Sequence, residues 1–399
     1  MAVSPCGQPE SGMRFDAQAA AGSRPAGPRI LVARVGAIGD TLMATPLLRA
    51  MRRSLPGARV CFLCSAAACD ALRYNPHLDR VTPLDHWRLP VWLNAGKRRI
   101  ISETRKERFD AVLALESDAR FLDLVRGARA GRVIAYGALA DAGGFERAAF
   151  NPQIHMIDNH LAAARPLGVE PAGREMELVY PSELHAALWE SLCRVGVRKE
   201  GLLVGIHAGW GGRKHPLTET RLKSWPPERF AEIARWLINR VGASIVLTGA
   251  EADTDLNELI ANLSGVRCLN LAGKLSLLQM IALLRRCDAY LTVDSGPAHM
   301  AAAVGTPLVT LVGPAIIEQT APSAGRGPAI ILYHRVPCAP CYGTPLMKSC
   351  RDNVCMKEIT TDEVRLALEQ MLALKRTAPS HATADQSLPR PPASPEYHP

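Results

Sequence analysis

The sequence predicts an α/β protein built as two Rossmann-like domains facing each other across a cleft. Three observations predict it. Short β-rich runs alternate with amphipathic stretches of about 10–15 residues, the pattern of parallel strands joined by helices. A second series of the same kind begins at LLVGIHAG, residues 202–209, and repeats the architecture rather than the sequence. Glycine-bearing and charged turns follow several of the strand-like runs, where open α/β sheets place their ligands. The chain's 399 residues, 48% of them apolar, suffice for two substantial cores.

Residues 1–28 are rich in Gly, Ala, Ser and Pro, lack the apolar centre of a secretory signal, and are expected to form a disordered leader. No apolar run reaches about 18 residues, so no membrane-spanning helix is expected. The first domain, residues 29–178, opens with the strand ILVARV, a helix from about Thr41 (TLMATPLLRAMRRSL) and the strand ARVCFLCS. FDAVLALES, a helix through FLDLVRGA and the strand RVIAY follow. The join is expected within residues 178–202, at the helix SELHAALWESLCRVG. The second domain, residues 179–376, then runs through LLVGIHAG, the helix PERFAEIARWLINRVG, SIVLTGA, the helix DTDLNELIANLS and CLNLAG. Next come the helix SLLQMIALLRRC, AYLTVDS, the helix PAHMAAAVG and PLVTLVG. A last helix, TTDEVRLALEQMLALKR, closes it, with Thr361 or Asp362 as the expected cap. Residues 377–399 read as a Pro/Ser-rich disordered tail.

A formal charge of +9 favours anionic partners, although a solvated basic face gives the same total. Eleven cysteines scattered through apolar segments of a long chain without an export signal read as thiols in a reducing cytoplasm. The basic run KRRIISETRKERFD, residues 97–110, is either a steering surface for an acidic acceptor or a solvated helix face.

Chemistry concentrates in a few turns. In VDSGPAHMAAAVGTPLVTLVGP, residues 293–314, Asp294 ends an apolar strand, Ser295 and Gly296 form a turn, and Pro297 suits the first helical position. The amides of that helix start make an anion site, and His299 falls in the first turn beside it. The basic loop after His207 carries Arg213, Lys214, Arg221 and Lys223, with Gly209, Gly211 and Gly212 permitting close backbone approach to a diphosphate. Glu251, in LTGAEAD, is placed to read a ribose hydroxyl or simply to complement a helix dipole. Asp40, in RVGAIGDTLMATP, is neither part of a G-x-G-x-x-G fingerprint nor of a P-loop. As a helix cap or as a general base facing the phosphates across the cleft, it is equally well explained. Cys338, Cys341, Cys350 and Cys355 are spaced C-x2-C-x8-C-x4-C, a candidate structural zinc site against the alternatives of free thiols or a redox pair.

Taken in order, RVGAIGDTLMATP, KSWPPERF, VDSGPAHMAAAVGTPLVTLVGP and CAPCYGTPLMKSC with CMKEIT resemble glycosyltransferase family 9, the ADP-heptose:lipopolysaccharide heptosyltransferases. The likeness spans residues 29–376. It implies the GT-B fold, inversion without a metal ion and no required cofactor. It also implies Asp40 as the base, Lys223 on the donor phosphates, and Asp294, Ser295, Gly296 and His299 around the donor sugar and diphosphate. Glu251 would take the ribose hydroxyls. The implied partners are an ADP-sugar and a lipopolysaccharide inner-core acceptor on the inner leaflet. The implied location is the cytoplasm, with transient contact at the inner face of the membrane. The sequence has no suitably placed D-x-D metal pair, in keeping with protein cations taking that role. The loop after His207 departs from the family pattern in its length and in lacking a hydroxyl residue directly after Ala208.

Other classes share parts of this pattern. A dinucleotide oxidoreductase lacks its glycine fingerprint here. A nucleic-acid binder suits the charge but not the 5% aromatic content, so no nucleic acid is expected as a partner. A sugar-nucleotide epimerase or a non-catalytic sugar-nucleotide binder would use the same two-domain fold.

Overall fold

A computed structural model describes residues 27–209, 222–322 and 325–377. The expected leader up to residue 26, the tail from residue 378, and Arg213, Lys214, Arg221, Gly211 and Gly212 lie outside the described residues.

Two six-stranded parallel sheets form the frame. The first contains β1 (Arg29–Ala33), β2 (Arg59–Cys64), β3 (Arg80–Pro83), β4 (Ala111–Ala114), β5 (Arg132–Ala135) and β6 (Glu146–Arg147), in the order β3-β2-β1-β4-β5-β6. The second contains β7 (Leu203–His207), β8 (Ser244–Leu247), β9 (Cys268–Asn270), β10 (Ala289–Val293), β11 (Leu308–Val312) and β12 (Ala329–Tyr333). Its order, β12-β11-β10-β7-β8-β9, is the same winding read from the other edge. Central strands are apolar on both faces because helices cover both: β7, β10 and β11 are buried at every position. Leu31 pairs with Cys61 on one side and Val112 on the other, fixing β1 at the centre of its sheet.

In each sheet the winding reverses between two neighbouring strands, β1 and β4 in the first, β7 and β10 in the second. Chains leaving such a pair diverge to opposite faces and open a crevice at the strands' carboxyl ends. The two crevices set the site.

Several elements differ from the sequence expectation. The helix expected from Thr41 is two helices, Ile38–Leu42 and Thr45–Ser54, and Asp40 lies inside the first. Pro46, at the start of the second, suits a helix beginning but not a helix interior. Pro297 takes the second position of the helix Gly296–Val304. Thr360, rather than Thr361 or Asp362, caps the last helix, Thr361–Thr377: its amide and hydroxyl both donate to the Glu363 carboxylate at 2.8 Å. The helix Glu183–Arg194 packs on Leu277–Arg286, with the Arg286 guanidinium 4.0 Å above the Trp189 ring, so it belongs to the second domain.

One apolar cluster is continuous across both domains, from Val32, Leu48 and Phe62 through Ala68 and Leu72 to Leu284, Tyr290 and Met300. A second covers the far face of the second sheet, where Phe230 and Ile233 meet Val364 and Leu368 of the closing helix.

Candidate active site

On the first domain's side, β1 delivers the chain to Gly36 and the helix Ile38–Leu42. Asp40 is the third residue of that helix, and its Oδ2 accepts from the Ala37 amide at 3.0 Å. Its Oδ1 accepts from Arg34 Nη2 at 2.8 Å. Arg34 Nη1 in turn donates to Glu116 Oε2 at 3.2 Å, and the Val35 amide donates to Glu116 Oε1 at 2.7 Å. Glu116 leaves the end of β4, so this chain of charges spans the winding reversal of the sheet. Gly36 makes the fold-back possible, because a Cβ there would stand 2.6 Å from Asp40 Oδ2. Burial works to raise the Asp40 carboxyl. The Arg34 charge and hydrogen bond, the Ala37 amide and His299 outweigh it and hold Asp40 below the ordinary aspartate range. Burial prevails at Glu116, whose carboxyl is raised.

On the second domain's side, Asp294 leaves β10 and Ser295 precedes the helix Gly296–Val304. Asp294 Oδ2 and Lys223 Nζ form a buried ion pair at 2.8 Å. The same ammonium lies 4.3 Å above the Tyr342 ring. Tyr342 comes from the cysteine-bearing loop, which is docked by the amides of Cys341 and Tyr342 donating to the Pro314 carbonyl just after β11. A cation beside a helix start is an arrangement that holds an anion.

His299 joins the two halves. It is buried, and it faces Gly39 so closely that a Cβ there would stand 2.6 Å from its Cδ2. The charges of Asp294 and Asp40 both act on its imidazole. Burial dominates and lowers its proton affinity, so the ring is neutral at neutral pH, and its Nδ1 has no hydrogen-bond partner among the described residues. A carboxylate, a neutral imidazole and an ammonium–carboxylate pair thus come together where the two domains meet: an acceptor of protons from one, a holder of anions from the other.

Four of the residues singled out from the sequence, Asp40, Lys223, Asp294 and His299, meet here, with Ser295 and Gly296 at the helix start. Glu251 stands apart, exposed after β8 at the rim of the second crevice. Gly209 approaches Asp253, not an open loop: a Cβ there would lie 2.0 Å from Asp253 Oδ1. Among the described residues, no group of three His, Cys, Asp or Glu side chains is placed to hold a metal ion. Cys338, Cys341, Cys350 and Cys355 therefore do not come together as the expected zinc cage, and burial raises the Cys341 thiol and pushes Cys355 up to about 11. Arg34, Glu116 and Tyr342 were not anticipated. The signal available for Glu116 was its place at the end of LALES, the same strand-end position as Asp294.

A family model described as glycosyltransferase family 9 (heptosyltransferase) matches residues 215–349. Lipopolysaccharide heptosyltransferase 2 of Salmonella typhimurium is 29% identical over 330 residues, 77% of this chain and 90% of that one. Among solved structures, a family 9 glycosyl transferase from Veillonella parvula superposes with a TM-score of 0.75 at 20% identity, covering 87% of this chain and 98% of its own. The ADP-heptose lipopolysaccharide heptosyltransferase II of Escherichia coli gives 0.69 at 22%, covering 87% and 99%. These two share the fold, GT-B. The ordered motifs, the two parallel sheets and the relatives agree: the chain is similar to glycosyltransferase family 9, a likeness that supports a glycosyltransferase.

Proposed function

We propose that the enzyme transfers a heptose from an ADP-sugar to a lipopolysaccharide inner-core acceptor, with inversion and without a metal ion. The carrying observation is that His299 lies within electrostatic reach of both Asp40 from the first domain and the Lys223–Asp294 pair from the second. Asp40 takes the proton of an acceptor hydroxyl as its oxygen attacks the anomeric carbon from the face opposite the diphosphate. The bond from that carbon to the diphosphate oxygen breaks, and ADP leaves. Lys223, Ser295 and the Gly296 amide at the helix start stabilise the charge that develops on the leaving diphosphate. Gly296 lets the backbone come close to it, Asp294 orients Lys223, His299 contacts the donor sugar, and Glu251 takes the ribose hydroxyls. The relatives' names supply ADP-heptose and lipopolysaccharide, and the inner-core acceptor follows from the motif resemblance. An acceptor of that kind sits in a lipid leaflet, so the enzyme works from the cytoplasm and touches the inner face of the membrane transiently. No helix among the described residues is long and apolar enough to cross it.

Calorimetric titration with ADP, UDP, GDP and NAD, followed by turnover of ADP-heptose, tests this reading. ADP should bind best, and Lys223→Met should weaken it. Asp40→Asn should keep ADP affinity and lose about 10²–10⁴-fold in kcat. Preference for UDP or GDP would overturn the donor, and undiminished transfer by Asp40→Asn would overturn the base.

A further inference from the structure

We infer that the loop before the helix Ala95–Glu107, with Trp92 at its tip, is a docking surface for an anionic lipid bilayer. This loop, residues 84–94, follows β3 and so leaves the same edge of the first sheet as Asp40 and Glu116 do. Trp92 is 74% exposed, Leu93 54% and Leu89 43%, three large apolar side chains within five residues of one another. Scattered exposed leucines are ordinary, but a tryptophan this bare with two leucines beside it is not.

The loop is also built to keep them outside. Asn94 caps the helix through its Oδ1, which accepts from the Lys97 amide at 3.0 Å, while its Nδ2 donates to the carbonyls of Asp85 and His86. Lys97 is buried, and its Nζ donates to the Leu89 carbonyl at 2.9 Å. Arg98 Nη1 donates to the carbonyls of Val91 and Trp92 at 2.9 and 2.7 Å. Three side chains of the helix start thus satisfy the loop's backbone, and its apolar side chains face away from the body of the protein. Trp87, by contrast, turns inward onto Phe121.

Charge decides the partner. From residue 86 to residue 108 the chain carries seven Arg or Lys and two Glu. Arg88, Arg98 and Arg99 are exposed; Arg98 holds the carbonyls of the tip, Arg88 lies over the Trp87 ring of the same loop, and Arg99, in the first turns of the helix, pairs with Glu103. An apolar wedge with these arginines beside it fits the boundary between acyl chains and anionic headgroups, where an indole sits well and cations gain from the surface potential. A protein partner would have to match both features at once, whereas an anionic leaflet offers them everywhere. That the contact delivers a lipid-anchored acceptor to Asp40 rests on the transfer reading above; the lipid contact itself does not.

The test is co-sedimentation of the full chain with vesicles of equal parts phosphatidylglycerol and phosphatidylethanolamine, and with phosphatidylcholine alone. These vesicles contain no acceptor, so binding is read independently of transfer. The expected result is partition onto the anionic vesicles only, weakened by salt. It should fall roughly fivefold for Arg88→Glu or for Arg99→Glu, and more for Trp92→Ala with Leu93→Ala. Brominated lipid should quench wild-type fluorescence but not that of Trp92→Ala. Each variant should keep wild-type ADP affinity, which shows that it is folded. Equal binding to phosphatidylcholine, unchanged binding by the Trp92/Leu93 variant, or a concentration-dependent dimer that this variant abolishes would overturn the proposal. Vesicle binding without any ADP-heptose turnover would leave it standing and sink the transfer reading instead.

Discussion

Asp40 is fixed at both oxygens, Oδ1 by Arg34 and Oδ2 by the Ala37 amide, so its orientation leaves little freedom. The same contacts that aim it weaken it as a base, because each favours the ionised form. The sign is set by that direction. Asp40 has a folded pKa below the ordinary 3.8, so the ionised carboxylate persists as pH falls toward that value and is lost only beneath it. Wild-type kcat/KM should therefore hold level down toward pH 3.8 as far as this group is concerned. Arg34→Met removes the guanidinium, leaves burial opposed only by the Ala37 amide and His299, and brings Asp40 and Glu116 into unshielded repulsion. Its acid limb should move to higher pH. A pH profile with a soluble sugar acceptor checks this, and a limb that stays in place would mean that Arg34 does not set the basicity of Asp40.

At the scale of elements, the helix Ile38–Leu42 touches the helix Gly296–Val304 through Gly39 and His299. A methyl group at Gly39 has to displace a buried ring that packing holds in place, which costs about 1–3 kcal/mol. Gly39→Ala should lower the melting temperature, weaken ADP affinity and slow transfer together. A variant that melts and turns over like wild type would mean that the two helices do not meet in solution. This contact also marks the limit of what the sequence discloses. Strand–turn–helix units were readable at β1, β7 and β10 because each joins an apolar run to a glycine or proline turn, and that reading located Asp40, Asp294 and His299. β6 was not, being two exposed residues, nor were β3 and β12, whose patterns are short and half-exposed. Glu116 was missed for a topological reason: β4 lies beside β1 although two strands intervene in the chain, so its partner Arg34 is 82 residues away. The separation of 71 positions between Lys223 and Asp294 hid that pair in the same way.

At the scale of the molecule, the apolar cluster shared by the two sheets is accompanied by an ionic tie. Glu177 accepts from Arg49 at 2.8 Å, from His77 at 2.8 Å and, across the domain boundary, from Arg326 at 3.2 Å. Burial works to raise its carboxyl, but the hydrogen bonds and charges of His77 and Arg49 bring it down to about 2 from 4.5. A depressed carboxyl stabilises the folded state above its unfolded pKa and ceases to do so as pH falls through the folded one. The window is therefore pH 4.5 down to about 2, and the shift corresponds to roughly 3 kcal/mol at about 1.36 kcal/mol per unit. Because a core common to both domains couples their unfolding, this loss should appear in one cooperative transition and not in one domain alone. Denaturant melts of wild type and Glu177→Gln between pH 7 and pH 2 would read it. The variant should be the less stable at pH 7, through the buried arginine left without its carboxylate, and the two curves should converge as the wild type loses Glu177's charge. Parallel curves would show that Glu177 does not carry the acid sensitivity, and two separate transitions would show that the domains fold independently despite their shared core.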